Sequence, residues 1–280
     1  VIVCNTIEAF REARHHLGPL AFVPTMGALH AGHLSLVKLA MSHAPTVAVS
    51  LFVNPTQFGP SEDFSRYPRP VEADLAMCQA AGVQLVFNPD VDEMYPRDTM
   101  RLELDLPPLT RILEGASRPT HFQGVIEVVT KLFNIVQPQT ACFGEKDFQQ
   151  LAVIRAMTRA MNMPVEIIAC PTLRDPDGLA MSSRNRYLSP DERRRALSIS
   201  RALFDIQRRS ATERDVATLE TSLRSLLDAG SHAVSFSLDY AVIVDAATLA
   251  SISRIDRPAR ALVAARVGTT RLIDNVALGD

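Results

Sequence analysis

His30-Ala31-Gly32-His33 places two imidazoles three residues apart, and that spacing is where chemistry is first expected. The stretch follows the apolar run Leu20-Ala21-Phe22-Val23 and opens a helix-like segment, Leu34 to Met41. A strand, a turn containing Pro24, Gly27 and Gly32, and a helix start together make an anion site. The first N–H groups of a helix lack intrahelical partners, and the helix dipole favours negative charge beside them. Residues three apart share one face, so both rings can reach a single phosphate chain. As donors or cations they would stabilise charge developing on a departing pyrophosphate. The same four residues also occur as two polar histidines at an ordinary surface turn, so the pattern needs support from the rest of the chain.

Four further segments carry groups suited to an anionic substrate. Gly144-Glu145-Lys146-Asp147 precedes the helical pattern of Phe148 to Met161. There Lys146 could hold a phosphate as a point charge, and Asp147 could accept from a hydroxyl or from the free N–H groups of the helix start. An ordinary acidic helix start with a solvated lysine fits these residues equally well. Gln57 and Gln150 can each donate and accept, which suits a ligand bearing a hydroxyl beside a carboxylate. Met181-Ser182-Ser183-Arg184-Asn185 offers two hydroxyls and a guanidinium, or serves only as a polar linker. Arg118-Pro119-Thr120-His121 is a weaker source of further positive charge.

Short apolar runs that alternate with helical patterns must position these groups. Leu20–Val23, Thr46–Val53, Val83–Phe87, Thr140–Phe143 and Val165–Ala169 are predicted buried strands. Leu34–Ser42, Val71–Ala81, Val125–Val136 and Phe148–Met161 carry apolar residues at helical spacing. Strand–helix alternation predicts a doubly wound, Rossmann-like parallel sheet covered on both faces, with ligands outside the carboxyl ends of its strands. The two histidines, Asn54-Pro55-Thr56-Gln57 and Gly144-Glu145-Lys146-Asp147 all follow predicted strands at that rim. A polar stretch from Pro171 to Pro190 contains the turn signal Asp175-Pro176-Asp177-Gly178. Helices at Asp191–Arg208, started by Ser189 and Pro190, and at Thr212–Asp228 follow. Strands at Leu238–Val244, Ala259–Arg266 and Thr270–Asn275 then make a smaller α+β domain. The expected domains are residues 1–172 and 173–280.

Composition excludes several classes. The 280 residues are 47% apolar and 21% charged, with a formal net charge of −2, which leaves no basic footprint for nucleic acid. No apolar run approaches the roughly 18 residues that span a bilayer. Val1 to Asn5 lack a secretory pattern, and the absence of a starting Met suggests that a few residues are trimmed. Cys4, Cys78, Cys142 and Cys170 lie far apart without a CxxC or Cys/His cluster. A structural zinc or disulfide framework is therefore not expected, and reduced thiols in a cytoplasmic protein are.

Taken together, these motifs resemble the pantothenate synthetase (pantoate–β-alanine ligase) family of the HIGH-type nucleotidyltransferase superfamily. The similar segments are Phe22 to His30, Phe52 to Phe58, Glu114 to Pro119, Cys142 to Leu151, Met181 to Asn185 and Arg271 to Asn275. Met181-Ser182-Ser183-Arg184 stands where related tRNA-charging enzymes carry KMSKS, and Thr56 departs from the Met frequent in the family. The resemblance implies ATP-driven synthesis of pantothenate from pantoate and β-alanine through a pantoyl adenylate, releasing pyrophosphate and then AMP. It implies that His30 and His33 bind the ATP phosphates, with His33 the proton donor. Lys146, Ser182, Ser183 and Arg184 would hold phosphate groups, and His33, His30, Lys146 and Arg184 form the expected catalytic set. Asp147 would contact the nucleoside, while Met26, Gly144, Leu173 and Met181 would complete the nucleotide site. Gln57 and Gln150 would grip pantoate. Mg²⁺ would travel with ATP without assigned protein ligands, residues 173–280 would act as a lid, and the enzyme would be a homodimer. Rival readings are another nucleotidyltransferase of the superfamily, a silent nucleotide-binding regulator and a scaffold. The paired glutamines, the retained His33, Lys146 and Arg184, and the polar motifs at several strand ends argue against each in turn.

Overall fold

Runs of Val, Ile, Leu, Phe and Ala too short for helices form strands because both faces of the resulting sheet are covered. The computed structural model describes residues 1–60, 62–100, 103–229 and 234–279. In chain order the first elements are β1 (Ile2–Cys4), α1 (Ile7–His15), β2 (Leu20–Thr25), α2 (Ala31–His43) and β3 (Thr46–Leu51). They continue with α3 (Val71–Ala80), β4 (Leu85–Phe87), α4 (Val91–Met94), α5 (Glu114–Ser117), α6 (His121–Val136), β5 (Thr140–Gly144), α7 (Phe148–Ala160) and β6 (Glu166–Cys170). The six strands pair in parallel in the order β1-β4-β3-β2-β5-β6. This is the Rossmann-like sheet expected from the alternating pattern.

Alternate residues of β2 divide the core. Leu20 and Phe22 join Phe10, Phe122, Ile126 and Ile154 on one face. Ala21 and Val23 join Leu36, Val37, Val49 and Cys78 on the other, as the two-residue period of a strand requires. From β2 the chain steps outward through β3 to β4, then returns to place β5 and β6 on the opposite side of β2. The strand order therefore reverses between β2 and β5, which opens a crevice at their carboxyl ends.

Several boundaries differ from the sequence expectation. Helix α2 starts at Ala31 rather than Leu34, because the His30 side chain itself caps it by accepting the Gly32 N–H. This puts His33 in the first helical turn. β1 and α1 were not expected; β1 is a three-residue edge strand with Ile2 and Val3 exposed, too short to leave a pattern. Helix α6 begins four residues before the expected Val125, at His121.

The chain divides into two compact units, residues 1–145 with 150–171, and residues 146–149 with 172–280. In the second unit, α8 (Pro190–Arg209) is opened by a capping box between Ser189 and Glu192. Helix α9 (Val216–Asp228) starts later than the expected Thr212, because Asp215 caps it through the Thr218 N–H. β7 (Phe236–Asp245), β8 (Ala259–Val267) and β9 (Thr270–Leu278) form an antiparallel sheet in that order. Its apolar face packs with Leu197, Leu203, Leu219 and Leu223 of the two helices. No helix among the described residues is long and apolar enough to cross a membrane.

One glycine decides how closely α6 approaches the rim after β3. A Cβ at Gly124 would lie 2.4 Å from the carbonyl carbon and oxygen of Thr56, so the helix packs directly on the Asn54–Gln57 backbone. Gly124→Ala should destabilise the protein by about 1–3 kcal/mol, the usual cost of overpacking. Gly18→Ala, where nothing lies within 4 Å, should stay within about 0.5 kcal/mol, as surface changes do. Urea denaturation of both variants measures the difference, and equal effects would refute the close-approach argument.

Candidate active site

The turn after β2 is built around a buried carboxylate. Gly27 takes a left-handed φ of +75° and Ala28 follows at +50°. This aims the N–H groups of Ala28 and Leu29 at the two oxygens of Asp74, each at 2.7 Å. Thr25 secures the start of the turn: its Oγ1 donates to the Ser50 carbonyl at 2.7 Å and accepts from the Gly27 N–H at 3.1 Å. The chain then enters α2 with His30 at the N-cap. Because His30 Nδ1 accepts the Gly32 N–H at 3.1 Å, the proton of the neutral ring resides on Nε2, which is therefore a donor. The His30 and His33 ring centroids are 4.1 Å apart. The two imidazoles thus stand together at the positive end of a helix, beside the crevice where the strand order reverses.

The turn after β3 supplies a second polar cluster. Asn54 Oδ1 accepts from Tyr95 Oη at 2.8 Å, from Thr56 Oγ1 at 3.0 Å and from the Thr56 N–H at 3.3 Å. With the oxygen so occupied, Nδ2 is the donor to Gln57 Oε1 and to the Gly124 carbonyl, both at 3.1 Å. Gln57 Oε1 is engaged by Asn54, and its Nε2 donates to Met26 Sδ at 3.1 Å. The amide of Gln57 is thus oriented with its NH₂ as the donor beside Met26.

The backbone of Gln57 is held as firmly. Its carbonyl accepts from His121 Nδ1 at 3.0 Å and from Arg118 Nη2 at 3.2 Å. Arg118 also grips Glu62 with two bonds of 2.6 Å. Burial alone would raise the Glu62 carboxyl, but the hydrogen bonds and charge of Arg118 hold it below its ordinary range. His121 is buried, and burial, aided by the Arg118 charge, pushes it down to about 4. The further positive charge expected from Arg118 and His121 is therefore not available: one is neutralised by Glu62 and the other is uncharged near neutral pH.

The remaining expected residues fall as follows. Gly144 ends β5, the strand beside β2, and Gln150 lies half-buried in the first turn of α7. In the second unit Lys146 Nζ is 3.6 Å from Asp147 Oδ1, and the lysine side chain is 20% exposed against 49% for the aspartate. Met181 donates its N–H to the Leu173 carbonyl at 3.0 Å. Ser182 caps a short 3₁₀ helix over Ser183–Tyr187 by accepting the Arg184 N–H at 3.3 Å. The structure thus joins His30 with His33, Met26 with Gln57, Lys146 with Asp147 and Leu173 with Met181. Asp74, Asn54 and Tyr95 were not singled out by sequence reasoning. Asn54 stood within a quoted motif, whereas Asp74 and Tyr95 lie 46 and 41 residues from the groups they hold.

His121 gives the site a pH signature. The fold keeps it neutral, with a value of about 4 against an ordinary 6.5, so the unfolded chain takes up the proton first. The stabilisation is complete above about 6.5 and is lost as pH falls toward 4, by about 3 kcal/mol in all. Urea melts across that range should show this loss, and His121→Asn, which keeps a donor near Nδ1, should flatten it. An unchanged slope in the variant would assign the acid sensitivity elsewhere.

A family model described as pantoate-beta-alanine ligase matches residues 2–277. The chain is 51% identical over 278 residues to a pantothenate synthetase of Roseiflexus castenholzii, with 99% of each chain covered. It is 49% identical over 283 residues to that of Thermobifida fusca, covering 99% of this chain and 95% of the relative. A crystal structure of pantothenate synthetase from Thermus thermophilus superposes with a TM-score of 0.93 at 46% identity, with 99% of each chain covered. A pantoate-beta-alanine ligase from Francisella tularensis, complexed with beta-gamma ATP and beta-alanine, gives 0.79 at 34% identity, covering 99% of this chain and 97% of that one.

Proposed function

The chain belongs to the pantoate–β-alanine ligase family, and from that premise we propose how its own residues join pantoate to β-alanine at the expense of ATP. The observation that carries the reading is the pairing of His30 and His33 at the start of α2, together with a Gln57 amide oriented as a donor after the next strand of the sheet. A carboxylate is a poor acyl donor at neutral pH. In the first step an oxygen of the pantoate carboxylate attacks the α-phosphorus, and pyrophosphate leaves. In the second the β-alanine amine attacks the acyl carbon, AMP leaves and the amine proton passes to solvent. The protein supplies position and charge rather than a covalent nucleophile.

His30 and His33 donate to the phosphates, and His33 protonates or hydrogen-bonds the departing pyrophosphate. Lys146, Ser182, Ser183 and Arg184 hold phosphate oxygens. Asp147 meets the nucleoside, with Met26, Gly144, Leu173 and Met181 around the nucleotide. Gln57, through its NH₂, and Gln150 orient pantoate. Among the described residues no group of three or more His, Cys, Asp or Glu could hold a metal ion. Mg²⁺ would enter with the substrate as MgATP, where it would neutralise phosphate charge. The family resemblance also supports a first domain over residues 1–172 that binds nucleotide and pantoate. It supports a lid role for the remainder, excluding water from the hydrolysable acyl adenylate, and a cytoplasmic homodimer. Light scattering should read about twice the 30.7 kDa chain mass.

Purified enzyme with MgATP, pantoate and β-alanine should yield AMP and pantothenate, and ATP consumption without pantoate at an equal rate would refute the assignment. His33→Ala should slow single-turnover adenylation roughly 10²–10³-fold, the scale for losing one preorganised donor, in a folded protein. Capture of preformed pantoyl adenylate by β-alanine should change far less, because pyrophosphate has already left. Normal adenylation with slow capture would overturn the role given to His33. Gln57→Ala should raise the half-saturating concentration of pantoate far more than that of ATP; equal shifts would reduce Gln57 to a fold residue.

A further inference from the structure

Arg271-Leu272-Ile273-Asp274-Asn275 carries part of the family resemblance yet has no place in the chemistry above. Asp274 and Asn275 are 5% and 3% exposed on β9, an edge strand of the three-stranded sheet. Buried polar groups need partners, and the partners of these two lead to different phosphate-binding segments. Asp274 accepts both arms of Arg174, at 2.7 and 2.9 Å. Arg174 also donates to the Gly178 carbonyl at 3.1 Å, lies over the Phe204 ring and pairs with Ala180 in a β-bridge. This fixes the hairpin from Leu173 to Met181, which runs directly into Ser182–Arg184.

Asn275 reaches the other segment. Its Nδ2 donates to the Lys146 carbonyl at 3.0 Å, while its Oδ1 accepts from Arg260 Nε at 2.7 Å. The Arg260 bond fixes which way the amide faces, and the Arg260 guanidinium lies over Phe148, 4.2 Å from the ring centre. Consecutive strand residues point to opposite faces. Asp274 shares its side with Leu272 and Val276, which pack with the helices, and Asn275 takes the other. One step of β9 therefore holds a segment on each face of the sheet.

We propose that Asp274 and Asn275 are positioning residues that set the Lys146–Asp147 and Ser182–Arg184 segments in a single register toward one phosphate chain. The inference rests on the reading of Lys146 and Ser182–Arg184 as phosphate-binding groups. Asn275→Asp keeps size and the acceptor for Arg260, but turns the donor facing Lys146 into an acceptor. Asp274→Asn keeps size and removes the charge that pairs with Arg174.

Full-length variants are assayed for single-turnover adenylation over a range of MgATP, and separately for capture of preformed pantoyl adenylate. Each substitution should weaken ATP saturation or slow adenylation roughly tenfold, the scale of one lost hydrogen bond to a charged or strongly held group. Pantoate saturation and capture should move less than about twofold. The double variant should lose less than the product of the single losses, because residues acting on one arrangement couple. Lys146→Ala is the reference. If it leaves adenylation intact, the phosphate-binding reading of Lys146 fails, and the inference with it. If it slows adenylation while Asn275→Asp and Asp274→Asn lower only the melting temperature, the positioning role alone is overturned. Multiplicative losses in the double variant would overturn the single register. Should Asn275→Asp be unfolded by circular dichroism, Asn275→Ala is read by the same criteria.

Discussion

Asp74 is 2% exposed, and its two oxygens accept the N–H groups of Ala28 and Leu29 at 2.7 Å each. A carboxylate buried without partners would cost several kcal/mol, and these charge-assisted bonds offset that cost while fixing the turn that makes them. The pairing dictates the residues around it. A Cβ at Gly27 would lie 2.9 Å from Asp74 Oδ2, so close approach of the carboxylate and a φ of +75° both call for glycine there. Ala28 accepts a left-handed conformation at a modest cost because both of its neighbours are held. From this anchored turn His30 is delivered to the N-cap of α2, and the position of His33 in the first helical turn follows. The Cys78 thiol registers the same environment, being raised to about 11 by burial and then by the Asp74 charge.

A second constraint runs through amide polarity rather than charge. Amides are reversible hydrogen-bonding groups, and a glutamine alone could offer a ligand either end. Here Tyr95 and Thr56 occupy the Asn54 oxygen, Asn54 Nδ2 then donates to the Gln57 oxygen, and the Gln57 NH₂ is turned toward Met26 Sδ. Tyr95 is itself placed by Phe52 and by Lys131 lying over its ring. The chain of bonds lets a half-buried tyrosine set which end of the Gln57 amide donates at the rim. It also explains why α6 approaches without a side chain at Gly124, whose carbonyl is part of the same network.

The amino-acid sequence made the parallel sheet legible because β2, β3 and β5 are buried on both faces and read as unbroken apolar runs. The histidines, Gln57 and Lys146 stand out in the sequence because their segments follow strands, and the structure does place those segments at strand ends. Asp74 and Tyr95 do not, since the bonds that matter cross more than forty residues and neither lies in a local pattern. The start of α2 was misplaced for a related reason. Histidine is not a usual cap, and only the folded turn aims its ring nitrogen at the Gly32 N–H. Local periodicity thus reports burial, whereas polar anchoring of a turn is a tertiary fact.

An acyl adenylate is an electrophile, and a protein that makes one must keep its own nucleophiles from competing with the intended amine. The thiolate, not the thiol, is the competing species. Burial, aided by the neighbouring Cys170, pushes Cys142 up to about 12, and burial raises Cys170 despite its contact with Ser35. Cys4 and Cys78 are raised by burial as well. All four thiols are buried and protonated at neutral pH, although Cys142 and Cys170 lie on the β5 and β6 strands that lead toward the site. The groups placed beside the crevice are imidazoles, one of them with its basic nitrogen already engaged by backbone, and amides oriented as donors. Such a surface stabilises negative charge. The fold thus keeps its four thiols in the core and leaves imidazoles and amides at the rim.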